Sequence, residues 1–288
     1  EEYAYYLVSE ARQKRVNHIF KLGGNVYAFD STTIDLCLSV FWWAKFRKKK
    51  GGIKVHTLYD VETQIPAFFH ITEASVHDSK AMIEIPYEPG SYYIFDRGYN
   101  NFKMLNRIHL IEAYFVVRAK KNLQCKFIKW KRRLPKNVLS DASVLLTGFY
   151  PKQYYPEPIR LVKYWDEEQE REFIFITNAM HISALQVAEL YKNRWQVELF
   201  FKWLKQHLRI KRFWGTTENA VRIQIYAAIC TYCLVAIIQH DMQLDRSTYE
   251  VLQILSISLT DKTHLKDLFD KTKFQNDKER FGPNGPSL

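Results

Sequence analysis

YYIFDRGY, residues 92–99, places a run of four β-prone residues directly before an acid, Asp96, and a glycine turn. The run VYAF, residues 26–29, leads in the same way to Asp30. In a mixed sheet the ends of two neighbouring strands lie about 5 Å apart. Two carboxylates at that separation repel each other unless a divalent cation lies between them. Each acid taken alone is more typical of a turn or a helix cap than of a cation site, so the cation site needs support from a third feature.

The segments around these two strands alternate between strand and helix patterns. Ile53–Tyr59 and Ile65–Thr72 form a predicted hairpin, and residues 119–177 carry short β-like runs separated by prolines and charged turns. Helical periodicity predicts one helix over Ala184–Arg209 and another over Ala220–Gln239. The sequence therefore predicts an α/β fold, with a mixed sheet flanked by helices and a β-rich insertion.

The length of 288 residues suits one large domain or two small ones. We expect an N-terminal helical segment, a first core part, a β-rich insertion, a second core part with the candidate helix, and a C-terminal helical segment with a disordered tail. Their bounds are 1–25, 26–118, 119–180, 181–241 and 242–288, with the disordered residues from about 275 onward. The chain opens on Glu1 rather than on a methionine, which leaves open whether this is a natural start or the cut end of a longer protein.

The third feature is a stripe of polar residues on the helix predicted over residues 184–209. Tyr191, Arg194, Glu198 and Lys205 fall within about 60° of one another on a helical wheel, and Lys202 lies close beside them. The apolar stripe lies next to this one, which places Glu198 at the border of the buried face, flanked by cations. An ordinary amphipathic helix with a pair such as Arg194–Glu198 or Glu198–Lys202 would show the same pattern.

Charge indicates a polyanionic partner. The chain carries 42 Lys and Arg against 31 Asp and Glu, a net charge of +11. The cations concentrate in three runs, at residues 45–54, 118–136 and 192–212, which contain one acid between them. One such run is typical of a solvated face, but three in one chain favour a nucleic acid or an anionic surface.

Cysteine content and hydropathy exclude two other classes of protein. Four cysteines are too few for a disulfide framework. Cys230 and Cys233 have the spacing of zinc ligands, but without a second pair nearby they are predicted to be core residues. The longest apolar stretch, Ile225–Ile238, is shorter than a bilayer span and predicts a buried helix.

Taken together, FDSTT around Asp30, IFDRGY around Asp96 and YKNRWQVELFFKWLK at 191–205 resemble the catalytic core of bacterial DDE transposases of the insertion-sequence-4 family. The third segment matches that family's pattern Y-(2)-R-(3)-E-(6)-K at all four positions. The resemblance covers about residues 27–239 and implies a ribonuclease H-like fold with a β-rich insertion between the second and third acids. It does not extend to the DNA-binding region that complete members carry before the core.

The resemblance also implies a chemistry. Asp30, Asp96 and Glu198 would be the catalytic acids and would hold two Mg²⁺ ions, for which Mn²⁺ can substitute. The reaction would be DNA cleavage at transposon ends and transfer of the freed 3′-hydroxyl to target DNA. The partners would be double-stranded DNA (terminal inverted repeats and target) and a second copy of the chain, in the bacterial cytoplasm at the nucleoid.

The same resemblance implies roles for residues around the acids. Arg194 would hold a phosphate near the scissile bond, and Tyr191, Lys205 and Lys202 would position neighbouring phosphates. Relatives that form hairpins stack a flipped base on an aromatic side chain of the insertion. The candidates here are Trp130 and Trp165, for each of which burial in the core is the alternative.

Three other functions compete with this reading. The first is a ribonuclease H-like nuclease that cleaves but does not join strands. The second is a domesticated or truncated transposase retained as a non-catalytic DNA-binding protein, against which the three intact acids argue. The third is a basic interaction domain without a nucleic acid partner, which would lack the steep salt dependence of DNA binding.

Overall fold

The computed structural model describes residues 1–16, 19–47, 50–208, 210, 213–258 and 262–269. Its strands are β1 (Val26–Leu36), β2 (Lys45–Arg47), β3 (Lys50–Asp60), β4 (Ile65–Glu73), β5 (Tyr92–Phe95), β6 (Tyr114–Arg118), β7 (Cys125–Trp130), β8 (Val138–Leu146), β9 (Ile159–Asp166) and β10 (Arg171–Thr177). Its α-helices are α1 (Glu2–Lys14), α2 (Phe102–Leu110), α3 (Phe149–Tyr154), α4 (Ala184–Lys192), α5 (Trp195–His207), α6 (Glu218–Asp241) and α7 (Thr248–Ser258). Two short 3₁₀ helices cover Asp78–Glu84 and Arg97–Tyr99.

All ten strands belong to one mixed sheet, in the order β2-β3-β1-β5-β6-β10-β9-β8-β7, with β4 paired to β3. Strands β1, β5 and β6 run parallel, and Phe29 pairs with Phe95, which pairs in turn with Val117. The predicted hairpin is confirmed, because β3 and β4 pair antiparallel. The predicted α/β class, a mixed sheet flanked by helices, is confirmed as well.

The insertion continues the sheet. Strand β10 pairs antiparallel with β6, and β9, β8 and β7 follow outward in turn. Short β-like runs separated by Pro and charged residues therefore extend the existing sheet instead of forming a second one. The two parts of the chain share one hydrogen-bonded layer.

Helices cover both faces of the sheet. Helix α1 buries Ala4, Leu7, Val8 and Ala11, which have the i, i+3, i+4, i+7 spacing of an amphipathic helix. It packs together with α4, α5 and α6 on one face, which we call the α5 face. The opposite face is covered by α2 and the 3₁₀ helix Asp78–Glu84. The catalytic candidates lie on the α5 face, since Asp30 follows Phe29 and successive strand residues alternate between faces.

The prediction of one helix over Ala184–Arg209 is wrong. Helix α4 ends at Lys192 and α5 begins at Trp195. Asn193 ends α4 by donating its side-chain amide to the carbonyl of Glu189 at 3.0 Å. Asn side chains compete with the backbone for hydrogen bonds of this kind, which gives the break a local cause that periodicity does not reveal.

Helix α6 contains the predicted apolar stretch and is 24 residues long. By length and composition it could cross a membrane, yet 44% of its most apolar window is buried inside the protein. It packs against α1, and Cys233 lies in the core while Cys230 is half-buried. The helix is thus longer than the sequence predicted and serves as a core helix here. The predicted disordered residues from 275 onward lie outside the described residues.

Candidate active site

The two strand-associated acids lie side by side on β1 and β5. Asp96 directly follows β5, where its side chain accepts the Gly98 backbone N–H and caps the 3₁₀ turn. Asp30 does not end its strand, which corrects the prediction: β1 runs on to Leu36, because β3 continues to pair with it there. Only the pairing of β1 with β5 ends at Phe29. The two acids therefore emerge at the same place on the sheet.

Arg194 joins the third acid to the first. Its Nη1 donates to Asp30 Oδ2 at 2.8 Å, and its Nη2 donates to Glu198 Oε1 at 2.6 Å. The guanidinium is 15% exposed. Burial lowers the pKa of Arg194, but Asp30, Tyr191 and Glu198 outweigh that effect and raise it above its usual value. Residues 30, 96, 194 and 198, far apart in sequence, thus form one charged cluster.

The charge of this cluster is unbalanced. Burial raises the pKa of Asp30 to about 6, even though Arg194 and the Ser31 N–H lower it, and the nearby carboxylates of Asp96 and Glu198 raise it further. Three acids share one guanidinium, so that these four described side chains carry two more negative than positive charges when all are ionised. Such a site favours a divalent cation.

The break between α4 and α5 changes the position of Tyr191. Its ring packs on Phe175, with centroids 4.7 Å apart, and on Phe173, at 5.9 Å. The Cζ of Arg194 lies 5.8 Å from the Tyr191 ring centroid. Tyr191 therefore contacts Arg194 from the neighbouring helix α4. The sequence had predicted that both residues lie on one stripe of a single helix. The predicted single stripe is therefore limited to the residues of α5, namely Glu198, Lys202 and Lys205.

The two lysines of α5 lie in different surroundings. Lys205 donates from Nζ to the carbonyl of Thr33 at 3.0 Å and so ties α5 to β1. Lys202 is exposed on the adjacent surface, and no described acid lies within ion-pair distance of it. Glu198 pairs with Arg194 rather than with Lys202, which decides between the two pairs left open by the sequence.

A second polar group beside Asp30 was missed by the sequence analysis. Ser31 Oγ donates to Asp78 Oδ1 at 2.7 Å, and Lys54 Nζ lies 3.1 Å from the same oxygen. The hydroxyl of Tyr99 lies 3.5 Å from Asp30 Oδ1. Asp78 is the first residue of the 3₁₀ helix Asp78–Glu84, which His77 caps by accepting the backbone N–H of Ser79.

A cleft of about 710 Å³ opens beside Arg194. Its walls include Tyr191, Phe173 and Phe175, and Phe173 lies between two cations. The Cζ of Arg118 is 4.8 Å and that of Arg171 is 4.4 Å from the Phe173 ring centroid.

Neither predicted stacking residue lines this cleft, although neither is buried in the core. Trp165 is 39% exposed and lies between two cleft-lining residues, Tyr164 and Asp166, so its side chain projects from the other face of the sheet. Trp130 is 55% exposed and stacks on Phe127 at the outer edge of the sheet. The cleft takes its aromatic wall from β10 and α4 instead.

The donor set of the cluster fits a hard divalent cation. Asp30, Asp96 and Glu198 offer only carboxylate oxygens, the ligands that Mg²⁺ and Mn²⁺ prefer. Within the described residues no three such side chains converge as metal ligands. Asp30 and Glu198 instead each accept a hydrogen bond from the guanidinium of Arg194. In the absence of a metal ion, the positive charge of Arg194 partly neutralises these two acids.

A buried histidine next to the cluster gives a pH-dependent stability. His56 pairs with Ser31 across β1 and β3, is fully buried, and contacts Thr72 Oγ1 through Nε2 at 3.0 Å. Burial lowers its pKa to about 4. The unfolded chain, with a histidine pKa near 6.5, therefore binds a proton between pH 6.5 and 4 that the folded protein does not. Stability is full above about pH 6.5 and falls as the pH drops through this window.

We expect His56→Phe to remove this loss. Between pH 8 and pH 5 the wild type should lose about 2 kcal/mol of unfolding free energy through His56. The variant loses a contact with Thr72 at pH 8 but keeps its stability at pH 5. Urea titrations at both pH values measure the difference, and His240→Phe, at an exposed histidine, is the control. If the unfolding free energies of the wild type and His56→Phe fell equally between pH 8 and pH 5, His56 would not be the source of the pH dependence.

Comparison with known proteins gives a consistent result. The chain matches the family described as "Transposase DDE domain" over residues 21–234. It is 35% identical to "Putative transposase y4zB" of Sinorhizobium fredii over 235 residues, 79% of this chain and 64% of that protein. It is 31% identical to "Probable transposase for insertion sequence element IS5377" of Geobacillus stearothermophilus over 205 residues, 71% of this chain and 54% of that protein. "Putative transposase for insertion sequence element IS4SA" of Synechocystis is 25% identical over 251 residues, 82% of this chain and 67% of that protein. The chain thus spans between about half and two thirds of the length of these relatives.

Proposed function

This chain belongs to the DDE transposase family, and from that premise we propose that it cleaves DNA at transposon ends and joins the freed 3′-hydroxyl to target DNA. The resemblance stated from the sequence is confirmed, and the mixed sheet flanked by helices is the ribonuclease H-like fold that it implied. One observation supports the proposal most: Arg194 links Asp30 to Glu198 beside Asp96, so three acids from distant segments lie in one cluster.

Members of this family use divalent metal ions. We propose that Asp30, Asp96 and Glu198 hold two Mg²⁺ ions here, with Mn²⁺ as a substitute. Ions bound at such a site lower the pKa of an attacking water or 3′-hydroxyl and stabilise the leaving oxygen of an in-line displacement. The excess negative charge of the cluster is what draws them.

The cationic and aromatic side chains then position the DNA. Arg194 holds both acids in the free protein, and its guanidinium would contact a phosphate beside the scissile bond if bound cations replaced it at the two acids. Tyr191 supports Arg194 from the side, and exposed Lys202 reaches a neighbouring phosphate. Lys205 fixes α5 against β1 through Thr33, so that it keeps Glu198 in register with Asp30 as well as facing the DNA.

The same cluster would serve a nuclease without strand transfer, and a domesticated descendant would bind DNA without cutting it. The family match favours the transposase. We expect double-stranded DNA as substrate, two copies of the chain on paired ends, and a place in the bacterial cytoplasm at the nucleoid.

The test is DNA cleavage by the wild type and by Glu198→Gln. A supercoiled plasmid and a duplex carrying the element's terminal repeat are incubated with Mg²⁺, Mn²⁺ or EDTA. We expect nicking with either metal, none in EDTA, and a loss of at least about a thousandfold in the variant, because one oxygen ligand and its charge are missing. Binding of the duplex should persist in the variant, since the cations that contact phosphates are unchanged.

Other outcomes separate the alternatives. Nicking without joined products would indicate the nuclease, and binding without nicking in either protein would indicate the non-catalytic DNA-binding protein. Cleavage that survives Glu198→Gln would refute the role of the three acids.

A further inference from the structure

The outer edge of the sheet is strongly basic. Strand β7 forms this edge and pairs only with β8 among the described strands. Residues 118–136 contain nine cations and no acid. No described acid lies within 4 Å of the cationic groups of Lys129, Arg132 or Arg133, whereas Lys131 pairs with Asp141 and Lys136 with Glu167. We call Lys129, Arg132 and Arg133 the β7 cations; all three are exposed.

Strand directions place the end of β7 on the same edge of the sheet as the catalytic cluster. β10 is antiparallel to β6, and each further strand reverses again. The carboxyl end of β7 therefore lies on the edge where β5 ends at Phe95. Five strand spacings separate β5 from β7 in the sheet order. At about 4.8 Å each they amount to about 24 Å, which is about seven base pairs of duplex at 3.4 Å per step.

An edge strand invites pairing with another chain, but β7 is poorly suited to it. Lys126 and Lys129 are exposed on the strand, and the β7–β8 register shifts between Phe127 and Lys129. Charged side chains and irregularities of this kind oppose edge-to-edge pairing. The charge of the edge is instead complementary to a phosphate backbone.

We propose that the β7 cations bind the phosphate backbone of the DNA duplex whose strand lies at the catalytic cluster, about seven base pairs from the scissile phosphate. This proposal rests on the proposed function for the choice of DNA, but it concerns binding and not cleavage. The continuous sheet between the two places fixes their separation.

The test measures DNA affinity in EDTA, where cleavage plays no part. Fluorescence anisotropy with a 16-base-pair duplex is recorded from 0.05 to 0.4 M salt for the wild type and for Lys129→Gln/Arg132→Gln/Arg133→Gln. The matched control is Lys152→Gln/Lys262→Gln/Lys266→Gln, which removes the same charge from exposed positions elsewhere. Thermal melting checks that all three proteins fold alike.

We expect the slope of log K against log salt to flatten by about 2.7 in the β7 variant and by far less in the control, because each lost phosphate contact removes about 0.9. At 0.1 M salt the β7 variant should bind roughly a hundredfold more weakly.

Equal slopes for the β7 variant and the control would overturn the proposal, even if the wild type binds DNA and cleaves it. A dimer that dissociates only in the β7 variant, measured by sedimentation without DNA, would also overturn it in favour of a protein partner. A wild type that binds no DNA would refute the proposed function along with it.

Discussion

Asp30→Asn is expected to abolish DNA cleavage and, at the same time, to stabilise the metal-free protein. Activity should fall at least about a thousandfold, because a carboxylate that can bind a cation becomes a neutral amide. The folded protein holds Asp30 at a pKa of about 6. Keeping the carboxylate ionised at pH 8 therefore costs about 2 to 3 kcal/mol, most of which the amide removes. Urea unfolding in EDTA measures the gain.

Asp35→Asn is the matched control for this variant. Asp35 lies on the same strand as Asp30 but is exposed, so that its replacement should change neither cleavage nor stability by more than about 0.5 kcal/mol. A site built for function commonly sacrifices stability in this way. A destabilised Asp30→Asn protein would mean that the pairing with Arg194 outweighs the burial of the charge, and would contradict the cause given for the raised pKa.

Arg160→Met is expected to cost about 3 to 5 kcal/mol of unfolding free energy. Arg160 and Asp141 are both almost fully buried and form a bidentate pair, with donor–acceptor distances of 2.8 and 2.7 Å. Arg160 also donates to the carbonyls of Ala179 and Ile182, just before α4. Removing the guanidinium leaves Asp141 buried with Lys131 as its one described ion partner and leaves two carbonyls without their donor.

Two further variants identify the cause. Arg160→Met/Asp141→Leu should recover most of the loss, because no buried charge remains. Lys163→Met, on the same strand but in an exposed ion pair with Glu172, should cost no more than about 1 kcal/mol. Urea unfolding at pH 7 ranks the four proteins, and a double variant no more stable than Arg160→Met would contradict the argument.

The same pair has a pH signature. Despite burial, hydrogen bonds from Arg160 and Lys131 hold the pKa of Asp141 below its usual range. Its contribution to stability is therefore present above the unfolded pKa near 4 and is lost as the pH falls below it. Below about pH 4, the unfolding free energy of the double variant should therefore fall less steeply with decreasing pH than that of the wild type.

Local patterns in the sequence predicted the acids and their strands, because a β-prone run followed by an acid needs only nearest neighbours to be recognised. They could not predict that β1 continues past Asp30, since that depends on pairing with β3 residues 15 to 25 positions away in sequence. The break at Asn193 was missed because Lys192 and Arg194 suit a helix and the apolar spacing continues across it. Tyr191 consequently reaches Arg194 across a helix junction.

The cleft beside Arg194 and the buried Arg160–Asp141 pair could not be predicted from the sequence, because both depend on the pairing of strands. Phe173 lies between Arg118 and Arg171 only because β10 returns to pair with β6. Arg and Asp are residue types found mostly at the surface, and the pairing of β8 with β9 brings Arg160 and Asp141 together in the interior. Contacts between distant strands carry no local signal, whereas the predicted hairpin between β3 and β4 did.

The return of β10 to β6 has a consequence for synthesis on the ribosome. When β6 emerges, its outer edge has no partner until more than 50 further residues have been translated, because Arg118 pairs with Phe175. During that interval the nascent chain exposes a parallel, apolar strand edge of the kind that promotes aggregation. Glu198 is translated later still, on α5. A half-made chain therefore carries Asp30 and Asp96 but not Glu198, so that the charged cluster around Arg194 is completed only after β10 has paired with β6.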